Sequence, residues 1–175
     1  LIQGYRINLQ PGNYPESSMP NYWENRHGSF NHPIIIRGTG RAEATVLLGD
    51  LNVFDVRYLY LLNFTIAPDP AGDAFHCEQC DHILLREMAL SGGENREAHE
   101  TIKVNQSQHI YIENSDVGNA EENPIDFVAV QYGHIVRSRI HDGGDWCAYV
   151  KGGSAYLVIE GNRFYNCGTG GFTAG

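Results

Sequence analysis

The stretch RYLYLLNFTI (57–66) decides the fold, because its pattern returns along the chain. A polar or aromatic residue, an alternating apolar run and a turn follow in the same order in DHILLREMAL (81–90), QHIYIENSDV (108–117), GHIVRSRI (133–140) and AYLVIEGNRF (155–164). The final apolar residues of the five copies lie 24, 27, 23 and 24 residues apart. Alternation at period two with β-branched and aromatic residues indicates strands. Strands repeated at this interval predict a solenoid.

A second alternating run precedes each copy, and Gly, Asn and Asp lie between the runs. These runs are NVFDV, AFHCE, TIKVN, FVAVQ and AYVKG. An antiparallel sandwich would not keep two runs and a turn in the same order through five copies. We therefore predict an all-β chain that forms one parallel β-helix over 1–175, with about five to six coils and incomplete at its C-terminus. Residues 1–50 form a strand, a loop and the first coil, and 51–175 form coils of about 24 residues.

The composition is that of an acidic globular protein, with 42% hydrophobic residues, 19% charged residues and a net charge of −9. Such a chain lacks the basic face that nucleic acid needs. No apolar run approaches the ~20 residues that span a bilayer. The sequence has no initiator Met and no signal-like segment, and it stops at GGFTAG. We expect a piece of a longer protein that is secreted, periplasmic or on the cell surface.

The opening of the chain adds a resemblance to this pattern. YRINLQPGNYP (5–15), HPIIIRG (32–38) and ATVLLGD (44–50) resemble the strand, turn and first coils of the right-handed parallel β-helix in the pectate-lyase-like superfamily. The resemblance covers nearly the whole chain and implies that fold. It implies less about activity, because the scaffold hosts lyases, hydrolases, esterases and adhesins.

Equivalent residues of successive coils stack about 4.8 Å apart, so aligning the copies predicts contacts. Two inward columns are predicted, one of Phe75, Ile102 and Phe127 and one of Cys77, Val104 and Ala129. The side chains between them are predicted to point outward, and these are His76, Lys103 and Val128.

A column of acidic residues is also predicted, at the starts of the first strands. Its members are Asp73, Glu100, Asp126 and Asp145. Stacked carboxylates repel each other unless a cation lies among them, and hard oxygen ligands suit Ca²⁺. Two interpretations stay open, a calcium site and acidic residues that only cap bends.

The β-helix polysaccharide lyases cleave acidic polysaccharides by β-elimination, in which calcium neutralises the uronate carboxylate and a lysine or arginine removes a proton. The resemblance therefore implies Lys151 or Lys103 as the base. HETIKV (99–104) is similar to the Glu-Thr-Ile-Arg motif of alginate and chondroitin lyases, with lysine where arginine is expected. The remaining predicted groups bind the polysaccharide substrate, and they are Arg137, Arg139, His76, Tyr149 and Trp146.

Two other functions stay open. In HDGGD (141–145), His141, Asp142 and Asp145 offer the acid–base pair of a glycoside hydrolase. The chain is alternatively a carbohydrate-binding module or adhesin, whose aromatic rings stack on sugars. The candidate rings are Tyr14, Tyr22, Trp23, Tyr132, Trp146 and Tyr149, of which Tyr22 and Trp23 are predicted to lie in a long loop over 13–32.

One aligned column holds histidines and cysteines raise a separate question. His82, His109 and His134, continued by Tyr156, suggest a metal site or a ladder of stacked rings. A ladder is favoured, because no matched carboxylate accompanies the rings in the alignment. Buried free thiols are the expectation for the four cysteines, with a Cys147–Cys167 disulfide and a zinc site at Cys77-x-x-Cys80 as alternatives.

Overall fold

A computed structural model describes residues 4–69, 72–92 and 99–175, which form three parallel sheets of seven strands each. The first sheet consists of β1 (Arg6–Leu9), β4 (Ile34–Gly38), β7 (Arg57–Leu62), β10 (Asp81–Arg86), β13 (Gln108–Glu113), β16 (Gln131–Val136) and β19 (Ala155–Glu160). The second consists of β2 (Gly12–Tyr14), β5 (Thr45–Leu47), β8 (Thr65–Ile66), β11 (Ala89–Ser91), β14 (Asp116–Ala120), β17 (Arg139–Gly143) and β20 (Arg163–Tyr165). The third consists of β3 (Tyr22–Glu24), β6 (Leu51–Phe54), β9 (Phe75–Glu78), β12 (Glu100–Asn105), β15 (Asn123–Val128), β18 (Trp146–Lys151) and β21 (Gly170–Ala174).

Each coil of the chain contributes one strand to each sheet, and each strand pairs in parallel with the equivalent strand of the next coil. This confirms the predicted parallel β-helix. Two short 3₁₀-helices, Glu16–Ser18 and Ala42–Ala44, lie in the first coils. Within the described ranges, no helix is long and apolar enough to cross a membrane.

Alternation along the strands places the core inside the solenoid. Leu59, Ile83 and Ile110 occupy the same position in successive coils and are buried. Removing such a side chain from water contributes about 1.5–3 kcal/mol to folding. The repeated inward columns are therefore the main source of stability along the solenoid.

The predicted loop over 13–32 is partly wrong, because β3 lies within it and pairs with β6. Trp23, in the middle of β3, is only 7% exposed and packs in the core. Its indole N–H donates to the carbonyl of Pro20 at 2.8 Å. Trp23 is therefore a core residue and not a ring for binding sugar.

A row of aromatic rings follows the first sheet. Its members, here named the ring ladder, all have positive φ and are Tyr58, His82, His109, Tyr132 and Tyr156. Neighbouring rings stack with centroids 4.3, 4.2, 5.4 and 4.9 Å apart. The prediction that His134 belongs to this row is wrong, because His134 pairs in register with Tyr111. The likeness of GHI (133–135) to QHI (108–110) misled the alignment, since Gln131 is the residue that pairs with Gln108.

The predicted inward columns also contain an error in β15. Phe127 pairs with Val104, and Ile125 pairs with Ile102. The placement of Phe127 beside Ile102, and of Ala129 beside Val104, is therefore wrong by two residues.

This shift changes which side chain lies on the outer face. Asp126, and not Val128, pairs with Lys103. Strand β12 follows β9 after a longer connection than the one between β12 and β15, so an alignment by strand starts cannot keep the register. The correction puts a carboxylate directly beside a lysine.

The cysteines divide into two kinds. Cys147 and Cys167 form a disulfide with Cα atoms 5.4 Å apart, so the expectation of free thiols is wrong for this pair. Cys77 and Cys80 are free and buried. Burial, together with the neighbouring Cys80, raises the pKa of the Cys77 thiol well above its usual value.

Candidate functional site

The outer face of the third sheet carries a row of polar side chains from successive coils. We name it the central column, and register defines its members as Asn52, His76, Lys103, Asp126, Tyr149 and Thr173. Since neighbouring strands lie about 4.8 Å apart, adjacent members of the column are in reach of one another. Lys151 belongs to the next column, where it pairs with Val128.

Asp126 lies at the centre of an ion-pair cluster. Its Oδ2 atom lies 3.0 Å from Nζ of Lys151 and also contacts Nζ of Lys103. The Lys103 ammonium group donates a second hydrogen bond, of 2.7 Å, to Oε1 of Glu100. The Lys151 ammonium group also lies 4.4 Å from the centroid of the Tyr149 ring, which adds a cation–π contact.

The carboxylate of Asp126 is fully buried, although its strand faces outward. Oδ1 has no hydrogen-bond partner among the residues that the structure describes. A buried carboxylate is costly unless it is paired, so the two lysines are required to hold it in the charged form. The side chains of Lys103 and Lys151 remain 20% and 31% exposed, so both can meet a ligand on the face.

Two groups in this cluster have shifted pKa values. Burial raises the pKa of Glu100, and the nearby carboxylate of Asp126 raises it further, against the effect of Lys103. Burial opposes the charge on Lys103, but its hydrogen bonds to Asp126 and Glu100 outweigh burial and raise its pKa. Lys103 is therefore held as a cation at neutral pH.

The four carboxylates predicted as calcium ligands do not form one column. Asp73 accepts the backbone N–H of Glu100 through Oδ1 at 3.4 Å. Asp145 lies in the turn before β18, where its backbone N–H donates to the carbonyl of Glu122. Both contacts are those of acidic residues at bends.

Glu100 and Asp126 are left as a pair of carboxylates, and the ammonium group of Lys103 contacts both of them. Calcium takes about six to eight oxygen ligands, and two ammonium groups beside it would repel it. The arrangement of the described residues fits a lysine better than calcium, so no step below uses the ion. Calcium binding itself stays a prediction that titration can test.

The predicted substrate-binding residues fall into two groups. His76 and Tyr149 lie in the central column, and Asn105 donates to Nε2 of His76 at 3.3 Å. Trp146 begins the same strand as Tyr149 and packs against Gly170, where an added Cβ would lie 2.3 Å from the indole ring. These three side chains surround the lysine cluster on the third sheet.

The two predicted arginines lie elsewhere. Arg139 is on β17 of the second sheet and pairs with Asp116. Arg137 lies at the corner before β17, and its Nε donates to Asn114 at 3.0 Å. The fold therefore does not bring them together with the lysines.

The carboxylates of the hydrolase alternative are arranged around one histidine. Nδ1 of His141 lies 2.6 Å from Asp142, and Nε2 lies 2.6 Å from Asp116. Asp116, one coil earlier, takes the place that was predicted for Asp145. The ring of His141 fills the space between the two carboxylates and stacks on Tyr165 at 4.7 Å, which leaves no gap there for a sugar.

One signal of the lysine site was present in the sequence but was not used. The chain contains only two lysines, and they are 48 residues apart, which is two coils. Both of them contact Asp126. The position of Asp126 was missed because it depends on the register of β15.

Comparison with known proteins agrees with this architecture. A rhamnogalacturonan lyase has a similar structure, with a TM-score of 0.68 and 14% identity over 100% of this chain and 55% of that protein. An alginate lyase from Paenibacillus sp. str. FPU-7 has a TM-score of 0.54 and 17% identity over 98% of this chain and 58% of that protein. The chain thus spans little more than half of each structure, and the likeness at this identity concerns the fold.

No curated protein matches the sequence. The family described as "Right handed beta helix region" matches residues 73–175, which contain the lysine cluster and the ring ladder from His82 onward. The chain therefore belongs to the right-handed β-helix family.

Proposed function

We propose that the protein acts on an acidic polysaccharide by β-elimination at the central column. The observation that carries the proposal is the pair of lysines, two coils apart, that share the buried carboxylate of Asp126 on an outer sheet face. Two coils span about 10 Å along the solenoid, which suits one or two sugar units. The fold shared with two polysaccharide lyases is consistent with this substrate class.

The two lysines take different parts in this proposal. Lys103 stays an ammonium group and pairs with the uronate carboxylate, because its raised pKa keeps it charged. Lys151 removes the proton at C5 of the uronate, and the electron pair of the C–H bond becomes the C4–C5 double bond. The C4–O bond breaks, and the leaving oxygen takes a proton from Lys103 or water. A sugar that covers Lys151 would exclude water and favour the neutral amine that a base requires.

A binding module is the second candidate, and one observation favours it. Asp126 pairs with both ammonium groups, and such pairs support lasting cations that hold a carboxylate without cleaving the chain. In that case Tyr149, which lies between the lysines in the register, would supply the ring that stacks on sugar.

The test uses alginate, rhamnogalacturonan and other uronate polymers with the wild-type protein, Lys151→Arg and Lys103→Arg. Arginine keeps the charge but cannot act as a base at neutral pH. We expect unsaturated product, read by ultraviolet absorbance, from wild type and Lys103→Arg. Lys151→Arg should still bind the polymer and lose cleavage by about 100-fold or more.

The alternatives give different results in the same assay. New reducing ends without unsaturation would indicate a hydrolase. Binding by all three proteins without any product would indicate a module. An Arg163→Ala variant, which removes an exposed cation on the second sheet, serves as the control and should behave like wild type.

A further inference from the structure

We propose that Asp81, His82 and His109 form a binding site for a divalent transition-metal ion such as Zn²⁺. One ligand atom from each side chain lies within 4.8 Å of the other two. Nδ1 of His82 lies 2.6 Å from Oδ1 of Asp81, and Nδ1 of His109 lies 2.9 Å from the same oxygen. The site is on the first sheet, so it is separate from the lysine cluster on the third.

The solenoid itself assembles the three ligands. Asp81 begins β10 and pairs with Gln108 of the next coil, so the residues that follow them, His82 and His109, become neighbours. Both histidines have positive φ, of 58° and 55°, which turns their rings outward in the ring ladder. The two rings stack with centroids 4.2 Å apart and an interplanar angle of 27°.

The carboxylate is the feature that separates this pair from the rest of the ring ladder. In register, the equivalents of Asp81 on the neighbouring coils are Arg57, Gln108 and Gln131. Asp81 is thus the acidic residue of its row, and it lies beside the two histidines. The expectation that no carboxylate accompanies these rings is therefore wrong.

The rings are held from both sides before any ligand arrives. Tyr58 stacks on His82 with centroids 4.3 Å apart, and Tyr132 stacks on His109 at 5.4 Å. Fixed side chains lose less entropy when they bind an ion. The three ligands also keep contact with solvent, since their side chains are 26–31% exposed, so an ion can enter and a fourth position is open to water.

The donor set indicates the class of metal. Two imidazoles and one carboxylate suit zinc and its neighbours in the first transition row, whereas calcium prefers oxygen ligands throughout. Zn–N and Zn–O bonds of about 2.0–2.2 Å place tetrahedral ligand atoms about 3.3 Å apart. The present separations of 2.6 and 2.9 Å are shorter, so small outward rotations of the side chains would admit the ion in place of the Nδ1 protons.

The test is calorimetric titration of the chelator-treated protein with zinc chloride. We expect one saturable site in the wild type and at least tenfold weaker binding in Asp81→Asn, His82→Gln and His109→Gln. His134→Gln is the matched control, because His134 lies on the same sheet and contacts one carboxylate, at 2.7 Å, without a second histidine. This control should bind zinc as the wild type does.

A second measurement does not depend on the folding of the variants. In ¹⁵N-labelled wild type, zinc should shift the Nδ1 resonances of His82 and His109 and leave that of His134 in place. The proposal is overturned if zinc shows no saturable binding, if the three ligand variants bind as tightly as wild type, or if the Nδ1 resonances do not move.

Discussion

Lys103 and Lys151, two coils apart, contact the same oxygen of Asp126, and they are the only lysines in the sequence. This carboxylate is fully buried, and the second of its oxygens has no partner within the described ranges. The stability of the third sheet and the charge of its outer face therefore depend on one side chain.

We expect Asp126→Asn to lower the free energy of unfolding by about 2–4 kcal/mol. Removing one partner of a buried ion pair leaves the other charges uncompensated, and the partial exposure of the lysines keeps the loss below the upper limit for such pairs. Urea unfolding at neutral pH measures it. Glu43→Gln, at an exposed position in a 3₁₀-helix, is the control and should unfold like wild type. An unchanged unfolding free energy in Asp126→Asn would contradict the assigned role.

Lys103 should titrate above the usual lysine value of about 10.4. Its folded-state pKa is raised, so the stability that it contributes is complete below the unfolded value and is lost as pH rises through the folded value. Reductive ¹³C-methylation labels both lysines and keeps their charge, and NMR then follows each signal with pH. Lys103→Arg assigns the signals. In Asp126→Asn, the Lys103 signal should titrate at lower pH, and an unmoved midpoint would show that Asp126 does not hold it.

The outer face of the first sheet has its own acid-sensitive contact. Glu113 accepts hydrogen bonds of 2.7 Å from both Arg86 and His134. Burial opposes the charge on Glu113, but these two donors outweigh it and lower its pKa. The stability gained is therefore present above the unfolded value of about 4.3 and lost as pH falls through the lower folded value.

We expect Glu113→Gln to cost about 1–2 kcal/mol near pH 7, in view of the exposed Arg86 side chain. The difference from wild type should shrink as the pH falls below 4. Unfolding curves at several pH values measure this. Glu160→Gln is the control, because Glu160 lies in the same row two coils further on and is exposed. A cost that does not depend on pH would point to lost packing.

The Cys147–Cys167 disulfide closes a loop of 20 residues. Reduction should lower the free energy of unfolding by about 3 kcal/mol, because the cross-link restricts the unfolded chain. Denaturation with and without reductant measures the change. Thiol labelling gives a direct check, since the buried Cys77 and Cys80 should react only after unfolding and all four thiols only after reduction. Four reactive thiols in unreduced, unfolded protein would show that the disulfide is absent.

The period of the repeat was sufficient to predict the sheets, because strands at equal intervals can bury their apolar faces only by stacking. Register was harder to predict. The connections between β9, β12 and β15 differ in length, so counting from strand starts put Val128 where Asp126 lies. Local likeness was also misleading, since GHI at 133 and QHI at 108 share letters but not position.

The site depends on contacts across coils, which single segments of sequence do not contain. Asp81 stood next to His82 in the repeat, yet its approach to His109 follows from a bend of the backbone at each histidine. The disulfide joins a strand to a turn that follows the next strand of the second sheet, and spacing alone left it as one of several pairings.

Because each coil adds one strand to every sheet, the lysine cluster is divided among three separate turns of the chain, β12, β15 and β18. Gain or loss of a whole coil before β12 or after β18 would change the length of the face and leave the cluster intact. The same event between β12 and β18 would move one lysine by about 4.8 Å and separate it from Asp126. The protein can therefore vary in length during evolution at its ends, while the number of coils between Lys103 and Lys151 is fixed.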